Sequence, residues 1–239
     1  KLSKNYFFNI KDFKKFNNIF KKINPDIVFH LAAQSLVRKS YNNPYETWST
    51  NLVGTLNLLE ILRRHKRKKK IISIIITSDK CYKNVNKKQG YKENEILGGY
   101  EPYGASKASV EILFHSYFQS FFKNQHNLFL ATARAGNVIG GGDWSEDRIL
   151  PDLFRSFKKN KFLKVRYPNS TRPWQHVLDP IYGYTYLAYM LNEKPNKING
   201  QSFNFGPYTQ KNYTVKKLLE EASKNIPRLK WKSVKPHRS

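Results

Sequence analysis

The stretch Ile71-Ile-Ser-Ile-Ile-Ile-Thr-Ser-Asp-Lys80, followed by Tyr103-Gly-Ala-Ser-Lys107, decides how this chain folds. The first part is an apolar run of strand length, as strands covered on both faces read, and it ends on Ser78, Asp79 and Lys80. The second puts a tyrosine and a lysine four residues apart at the opening of a helical pattern, so their side chains share a face. Strand, loop and helix in that order bring both groups to the carboxyl edge of a parallel sheet, where ligands of open α/β sheets bind. A cation beside a phenol favours the phenolate and lowers its pKa from about 10 toward neutrality. A phenol tuned that way can take a proton from an alcohol while hydride leaves the same carbon.

Working outward, the pattern predicts a helix over 12–22, a turn at Asn24-Pro25-Asp26 and a buried strand over 27–33. A helix over 45–65 follows Pro44, with Leu52, Leu56, Leu59 and Leu62 on one face. Helix 103–123 carries Val110, Leu113, Phe114, Tyr117 and Phe121 as its apolar stripe. A third strand over 128–134, a glycine-rich loop over 136–143 and helices over 149–159, 177–191 and 214–224 complete the reading, with a short strand over 203–205. Alternating strands and helices predict an α/β fold: a Rossmann-like parallel sheet flanked by helices. We expect residues 1–140 to form a dinucleotide-binding domain. Residues 141–239 form mainly a substrate lobe, with some segments returning to the first domain.

The 239 residues are 39% hydrophobic and 15% aromatic, which supports a packed core rather than disorder. No apolar run reaches the roughly 20 residues of a membrane span, and the first residues do not read as a secretory signal. The single cysteine, Cys81, excludes a disulfide framework and suits a reducing cytoplasm. The net charge of +26 raises the question of nucleic acid. The excess is mostly lysine spread among Asn, Ile, Phe and Tyr, all residues of A/T-rich codons, so we expect no nucleic-acid partner. The dense run at 63–70 reads as a solvated helix end, where cations favour the dipole. The six histidines and one cysteine show no metal-ligand spacing, so no metal is expected. His30 reads as a satisfied core histidine. Gly140-Gly-Gly142 does not fit the dinucleotide fingerprint, and no G-x-G-x-x-G occurs in the chain. Arg172, beside Trp174 and His176, is apt for pyrophosphate because guanidinium pairs bidentately with phosphate.

Together these segments resemble the extended short-chain dehydrogenase/reductase family, and within it the CDP-glucose 4,6-dehydratase group. The resemblance is carried by His30-Leu-Ala-Ala-Gln-Ser-Leu-Val-Arg-Lys-Ser-Tyr41, Thr50-Asn-Leu-Val-Gly-Thr55, Thr77-Ser-Asp-Lys-Cys-Tyr82, Gly98-Gly-Tyr-Glu-Pro-Tyr-Gly-Ala-Ser-Lys107, Arg134-Ala-Gly-Asn-Val-Ile-Gly-Gly-Gly-Asp-Trp144 and Thr171-Arg-Pro-Trp-Gln-His-Val177. The related dTDP-glucose dehydratases carry glutamate where Gln34 and Lys80 stand.

The resemblance implies NAD as cofactor and a nucleotide sugar as substrate. Tyr103 would be the base that starts oxidation at C4, with Lys107 tuning it and holding the nicotinamide ribose. Ser78 would bind the C4 oxygen, Asp79 would protonate the departing C6 hydroxyl, and Lys80 would sit where the C5 proton is removed, by the amine or by a water that it positions. Leu31, Ala32, Ala33, Gln34, Ser35 and Thr50 match cofactor-wall positions, and Ser35 also faces substrate. Asn9 and Ile10 match a stretch near the adenine. Asn137 and Arg172 match pyrophosphate positions of the substrate, and Leu150 and Pro151 the stretch lining its base. A homodimer through helices 45–65 and 103–123 is implied, with Tyr117 and Phe118 as exposed interface aromatics. The family's glycine-rich loop and first two strands would precede Lys1, so the chain reads as an internal fragment that holds NAD weakly by itself. An epimerase, a reductase, a dehydratase of dTDP- or GDP-sugars and an inactive polyanion-binding scaffold are the alternatives.

Overall fold

The protein is described here by a computed structural model covering residues 4–65, 69–87, 89–207 and 213–235. Residues 66–68, in the middle of the basic run, lie outside the described residues. The chain divides into two compact units, residues 1–135 with 181–205 and residues 136–180 with 206–239.

The first unit is built on a four-stranded parallel sheet. Its strands are β1 (Ile27–His30), β2 (Ile71–Ile76), β3 (Leu128–Ala135) and β7 (Ser202–Phe205), in that order. Register is fixed by pairs such as Ile27 with Ile72, Ile71 with Leu128 and Thr132 with Ser202. All of β3 is buried, Thr132 and Arg134 included, and β2, a largely apolar run, is buried up to Ile75. Strand β1 departs from expectation. Ile27 is 48% and Phe29 37% exposed, because β1 is an edge strand with β2 as its only paired neighbour among the described residues. It also ends at His30, so Leu31, Ala32 and Ala33 leave the sheet.

Helices α1 (Phe13–Ile23), α4 (Gly54–Arg64) and α5 (Pro102–Tyr117) share one apolar core with β2 and β3. Asp12 caps α1 by accepting from the Lys15 amide, and Asn24 ends it in the left-handed region at φ 49°. The helix expected over 45–65 is present, one residue earlier and less regular. It runs from α3 (Pro44–Trp48) through a π-turn (Ser49–Val53) into α4, and is preceded by an unexpected short α2 (Val37–Asn42). Its buried face holds Leu58, Leu59, Ile61 and Leu62, while Leu52 and Leu56 are half-buried. A second π-turn (Phe118–Phe122) continues α5, and the Lys123 amide donates to the Phe118 carbonyl across five residues. The stripe passes from Phe114 to Phe118 by an ordinary helical turn, the Phe118 amide donating to the Phe114 carbonyl, and the π-turn then carries it to Phe122. Phe118, expected on the surface, is therefore core. Phe121, expected in the stripe, is 47% exposed.

The second unit has its own core of Leu153, Leu163, Val165, Val215, Leu219 and Leu229. It contains α6 (Ile149–Lys158), α9 (Val215–Asn225) and two parallel two-stranded ribbons. These are β4 (Val138–Ile139) with β6 (Gln175–His176), and β5 (Leu163–Val165) with β8 (Trp231–Ser233). These ribbons were not legible in the sequence, being two or three residues long. Helix α7 (Leu178–Glu193) and the single turn α8 (Pro195–Ile198) lead back into β7. No helix among the described residues is long and apolar enough to cross a membrane.

Candidate active site

The site of the first unit forms where β2 ends and α5 begins. Beyond Ile76 the chain leaves the sheet and Ser78 caps a single 3-10 turn (Asp79–Cys81). The Ser78 hydroxyl, 5% exposed, donates to Asp79 Oδ1 at 3.1 Å and accepts from the Lys80 amide. Lys80 Nζ lies 3.1 Å from the same Asp79 oxygen, both side chains about one-third exposed. An acid, a hydroxyl and an amine thus converge within one turn of backbone.

Helix α5 starts with Pro102 in its first turn and Glu101 as cap, whose carboxylate accepts from the Tyr103 and Gly104 amides. This fixes the backbone of Tyr103, which is 8% exposed. One turn on, Lys107 is buried and its Nζ donates to the Ile76 carbonyl at 3.0 Å, two residues before Ser78. Burial pushes the Lys107 ammonium down to about 8, against the opposing pull of Glu111 and Cys81. An ammonium carries three donors, of which Ile76 takes one. Buried Tyr184, on α7, is pushed up to about 12 by burial and then by Tyr103. That phenol stays protonated across the working range.

The sequence-expected cofactor wall is brought beside this helix. Leu31 is 58% exposed and Ala32 is exposed, an open apolar shelf just past β1. Gln34 turns inward instead. Its side chain accepts from the Leu36 amide and donates to the Leu36 carbonyl and Thr47 Oγ1, so its amide is spent on the local turn. Ser35 is exposed, and Thr50 donates to Glu46 at 3.0 Å. Buried Asn51 links wall to helix: its Oδ1 accepts from the Gln34 amide at 2.8 Å, and its Nδ2 donates to the Gln34 carbonyl and to Ser106 Oγ. Asn51 and Glu101 were not singled out from sequence, although a polar residue inside an apolar helical run is the signal for the first. Asn9 is exposed and Ile10 half-buried, and Asn57 holds their turn by donating to the Ile10 carbonyl at 2.9 Å. His30 is satisfied by Thr55 at 3.1 Å, and burial, then the charge of Lys107, lowers it to about 4.

The remaining site candidates lie in the second unit. The buried Oδ1 of Asn137 accepts no hydrogen bond from the described residues. Pro151 is buried, and Leu150 packs half-buried against that unit's core. Arg172 is exposed and its Nη1 donates to the Thr171 carbonyl at 2.7 Å.

Comparison with known proteins places these features in a family. The chain is 46% identical over 217 residues to a CDP-glucose 4,6-dehydratase of Salmonella typhimurium, covering 89% of this chain and 60% of that protein. The chain thus spans about three-fifths of that relative's length. Among solved structures it superposes on a UDP-glucose 4-epimerase of Thermotoga maritima with a TM-score of 0.79 at 23% identity, over 97% of this chain and 72% of the other. A dTDP-glucose 4,6-dehydratase of Bacillus anthracis, in complex with NAD, gives 0.76 at 20% identity, over 96% and 67%. These likenesses establish the Rossmann-like parallel fold. A family model described as GDP-mannose 4,6-dehydratase matches residues 2–238, and the chain, from its parallel sheet to its Tyr103–Lys107 helix, belongs to that family.

Proposed function

We propose that this chain acts as a sugar-nucleotide 4,6-dehydratase on CDP-glucose. The observation that carries the reading is the meeting of two groups of residues: Tyr103 with Lys107 on one face of α5, and Ser78, Asp79 and Lys80 at the end of β2, joined by the Lys107–Ile76 hydrogen bond. The 46% identity to the Salmonella relative supports the base of the nucleotide.

The residues fit a nicotinamide dinucleotide. The shelf of Leu31 and Ala32 offers a flat apolar wall, and Lys107 offers donors to a ribose hydroxyl. When bound, that group supplies reversible hydride transfer. Residues 1–140 are proposed as its domain and 141–239 as mainly the substrate lobe; Asn137, Leu150, Pro151 and Arg172 would hold the nucleotide.

Tyr103 takes the proton of the C4 hydroxyl as that carbon is oxidised, with the Lys107 cation favouring the phenolate. Ser78 hydrogen-bonds the C4 oxygen throughout. The resulting ketone acidifies the neighbouring C5–H, so an amine such as Lys80 suffices to remove that proton. Asp79 delivers a proton to the C6 hydroxyl, which leaves as water. C6 is then reduced, C5 is reprotonated, and the net change is loss of one water. Asp79 and Lys80 argue against a simple epimerase or reductase, which requires no proton removal at C5.

The homodimer is proposed through α3, α4 and α5 with the π-turns that continue them, supported by Ile112 at 60% exposure on α5 and by Val53 at 40% and Phe121 at 47% on the two π-turns. A reducing cytoplasm suits the buried free thiol of Cys81. The test is mass spectrometry of products from CDP-glucose and, as control, dTDP-glucose. A 4-keto-6-deoxy product from CDP-glucose is expected. Faster turnover of dTDP-glucose would overturn the base assignment and leave the reaction class standing.

A further inference from the structure

Among the described residues the largest fully buried side chain is Arg134, and it faces a fully buried carboxylate, Glu111. Arg134 Nη2 lies 2.8 Å from Glu111 Oε2, at 2% and 0% side-chain exposure. A pair this dry is expensive to desolvate and is weak grounds for stability alone. Its contacts suggest what it does instead. Glu111 accepts from the Thr77 hydroxyl, from Thr132 Oγ1 at 2.9 Å and from Ser202 Oγ at 2.9 Å. It therefore grips the chain just past β2, at the residue immediately before Ser78. Arg134 Nη1 donates to Tyr82 Oη at 2.8 Å and to the Glu93 carbonyl at 2.9 Å. It therefore grips the chain at the residue immediately after Cys81. Ser78, Asp79, Lys80 and Cys81 lie between the two anchors. Helix α5 holds the end of β2 from two successive turns, Lys107 on the Ile76 carbonyl and Glu111 on the Thr77 side chain.

We propose that the Glu111–Arg134 ion pair is a positioning device that clamps the Ser78–Asp79–Lys80 turn at both ends and sets its register against Tyr103 and Lys107. The positions of the two residues fit this use. Tyr103, Lys107 and Glu111 recur every fourth residue along α5, so one helix face carries the base, its cation and the clamp. The catalytic consequence rests on the dehydratase reading, but the clamp itself does not.

Hydrogen exchange tests the clamp without turnover. The reporters are the amides of Thr77, Cys81 and Gly98, which donate to Ala133, Ser78 and Cys81 carbonyls. Glu111→Gln keeps the shape and removes the charge. It should speed exchange at these amides about tenfold or more while Ile72 to Ile75 in β2 stay protected. Two milder changes cut one arm each and leave the ion pair in place. Thr77→Val should free the Thr77 amide, and Tyr82→Phe those of Cys81 and Gly98. Unchanged exchange in both arms, or a rise spread evenly over β2 and β3, would overturn the clamp. In turnover of CDP-glucose, Glu111→Gln should lower kcat by about 10²-fold with KM little changed, because the turn is misplaced and not the bound nucleotide. A kcat equal to that of the unaltered chain would also overturn it. If the unaltered chain turns over no sugar nucleotide, the dehydratase reading falls and exchange still decides the clamp.

Discussion

Tyr103 and Lys107 share a face of α5, yet burial acts on them through one charge. Lys107 is held near 8 because its ammonium is desolvated, so it loses its proton well below an ordinary lysine. In the proposed reaction Lys107 supplies the cation beside the Tyr103 phenol. Tyr103→Phe should lower turnover about 10²–10⁴-fold, as expected for loss of a general base, with sugar-nucleotide binding retained. Lys80→Met and Asp79→Asn should behave differently: C4 oxidation should still occur and elimination should stall. The measurement is solvent deuterium at C5 in recovered sugar, absent in Lys80→Met and still present in Asp79→Asn. Normal turnover by Lys80→Met would remove its assigned role. His30 offers a test in stability. Its folded pKa of about 4 lies below the usual 6.5, so the unfolded chain binds more protons between these values and stability falls as pH drops through that window. The loss reaches at most about 3 kcal/mol. His30→Gln should flatten the drop in urea-unfolding free energy between pH 7 and pH 4.5 relative to the unaltered chain.

At the scale of elements, the two π-turns explain why the sequence was legible in outline and misleading in detail. A 3.6-residue repeat places Tyr117 and Phe121 inside; Tyr117 does pack half-buried against the core, but the π-turn after it inserts one residue, so Phe122 takes the place expected of Phe121. Strands β2 and β3 were readable because both faces are covered. β1 has the same apolar composition but sits at the edge, and composition does not encode how many neighbours a strand has. Ribbons β5 and β8 pair residues far apart in the chain and are too short for periodicity to register. Phe118 in the core leaves no room beside Gly200. A Cβ there would lie 2.2 Å from Phe118 Cε1, and φ is +79°. Gly54 is also crowded, with Ile10 Cδ1 at 2.4 Å, but that atom is the movable end of a side chain and the position is helical. Gly200→Ala should therefore cost about 2–4 kcal/mol, from overpacking together with the left-handed backbone. Gly54→Ala should cost less, since the helix gains from alanine. Urea unfolding of both variants checks the order. An equal loss would show that Phe118 moves as easily as Ile10.

For the whole molecule, the sequence made the candidate site legible through Ser78, Asp79, Lys80, Tyr103 and Lys107, because those residues sit at element ends that the apolar runs delimit. It gave no sign of the Glu111–Arg134 pair, whose partners come from α5, β2, β3, β7 and the loop after Cys81. Charge at this scale bears on assembly. A formal +26 spread over 239 residues means that two copies repel as they approach. The proposed dimer face carries Val53, Ile112 and Phe121, and its attraction is apolar. The two forces respond oppositely to salt. Screening shortens the reach of the repulsion to about 8 Å at physiological ionic strength, while burial of apolar surface is unaffected or strengthened. The dimer should therefore tighten as salt rises, the reverse of an assembly held by ion pairs or of a complex with nucleic acid. Sedimentation equilibrium across a salt series reads this directly. Ile112→Glu should shift the chain to monomer with little change in melting temperature, because Ile112 is 60% exposed within its own chain. Dissociation on adding salt would point to a charged interface elsewhere, and a dimer persisting in Ile112→Glu would move the contact off α5.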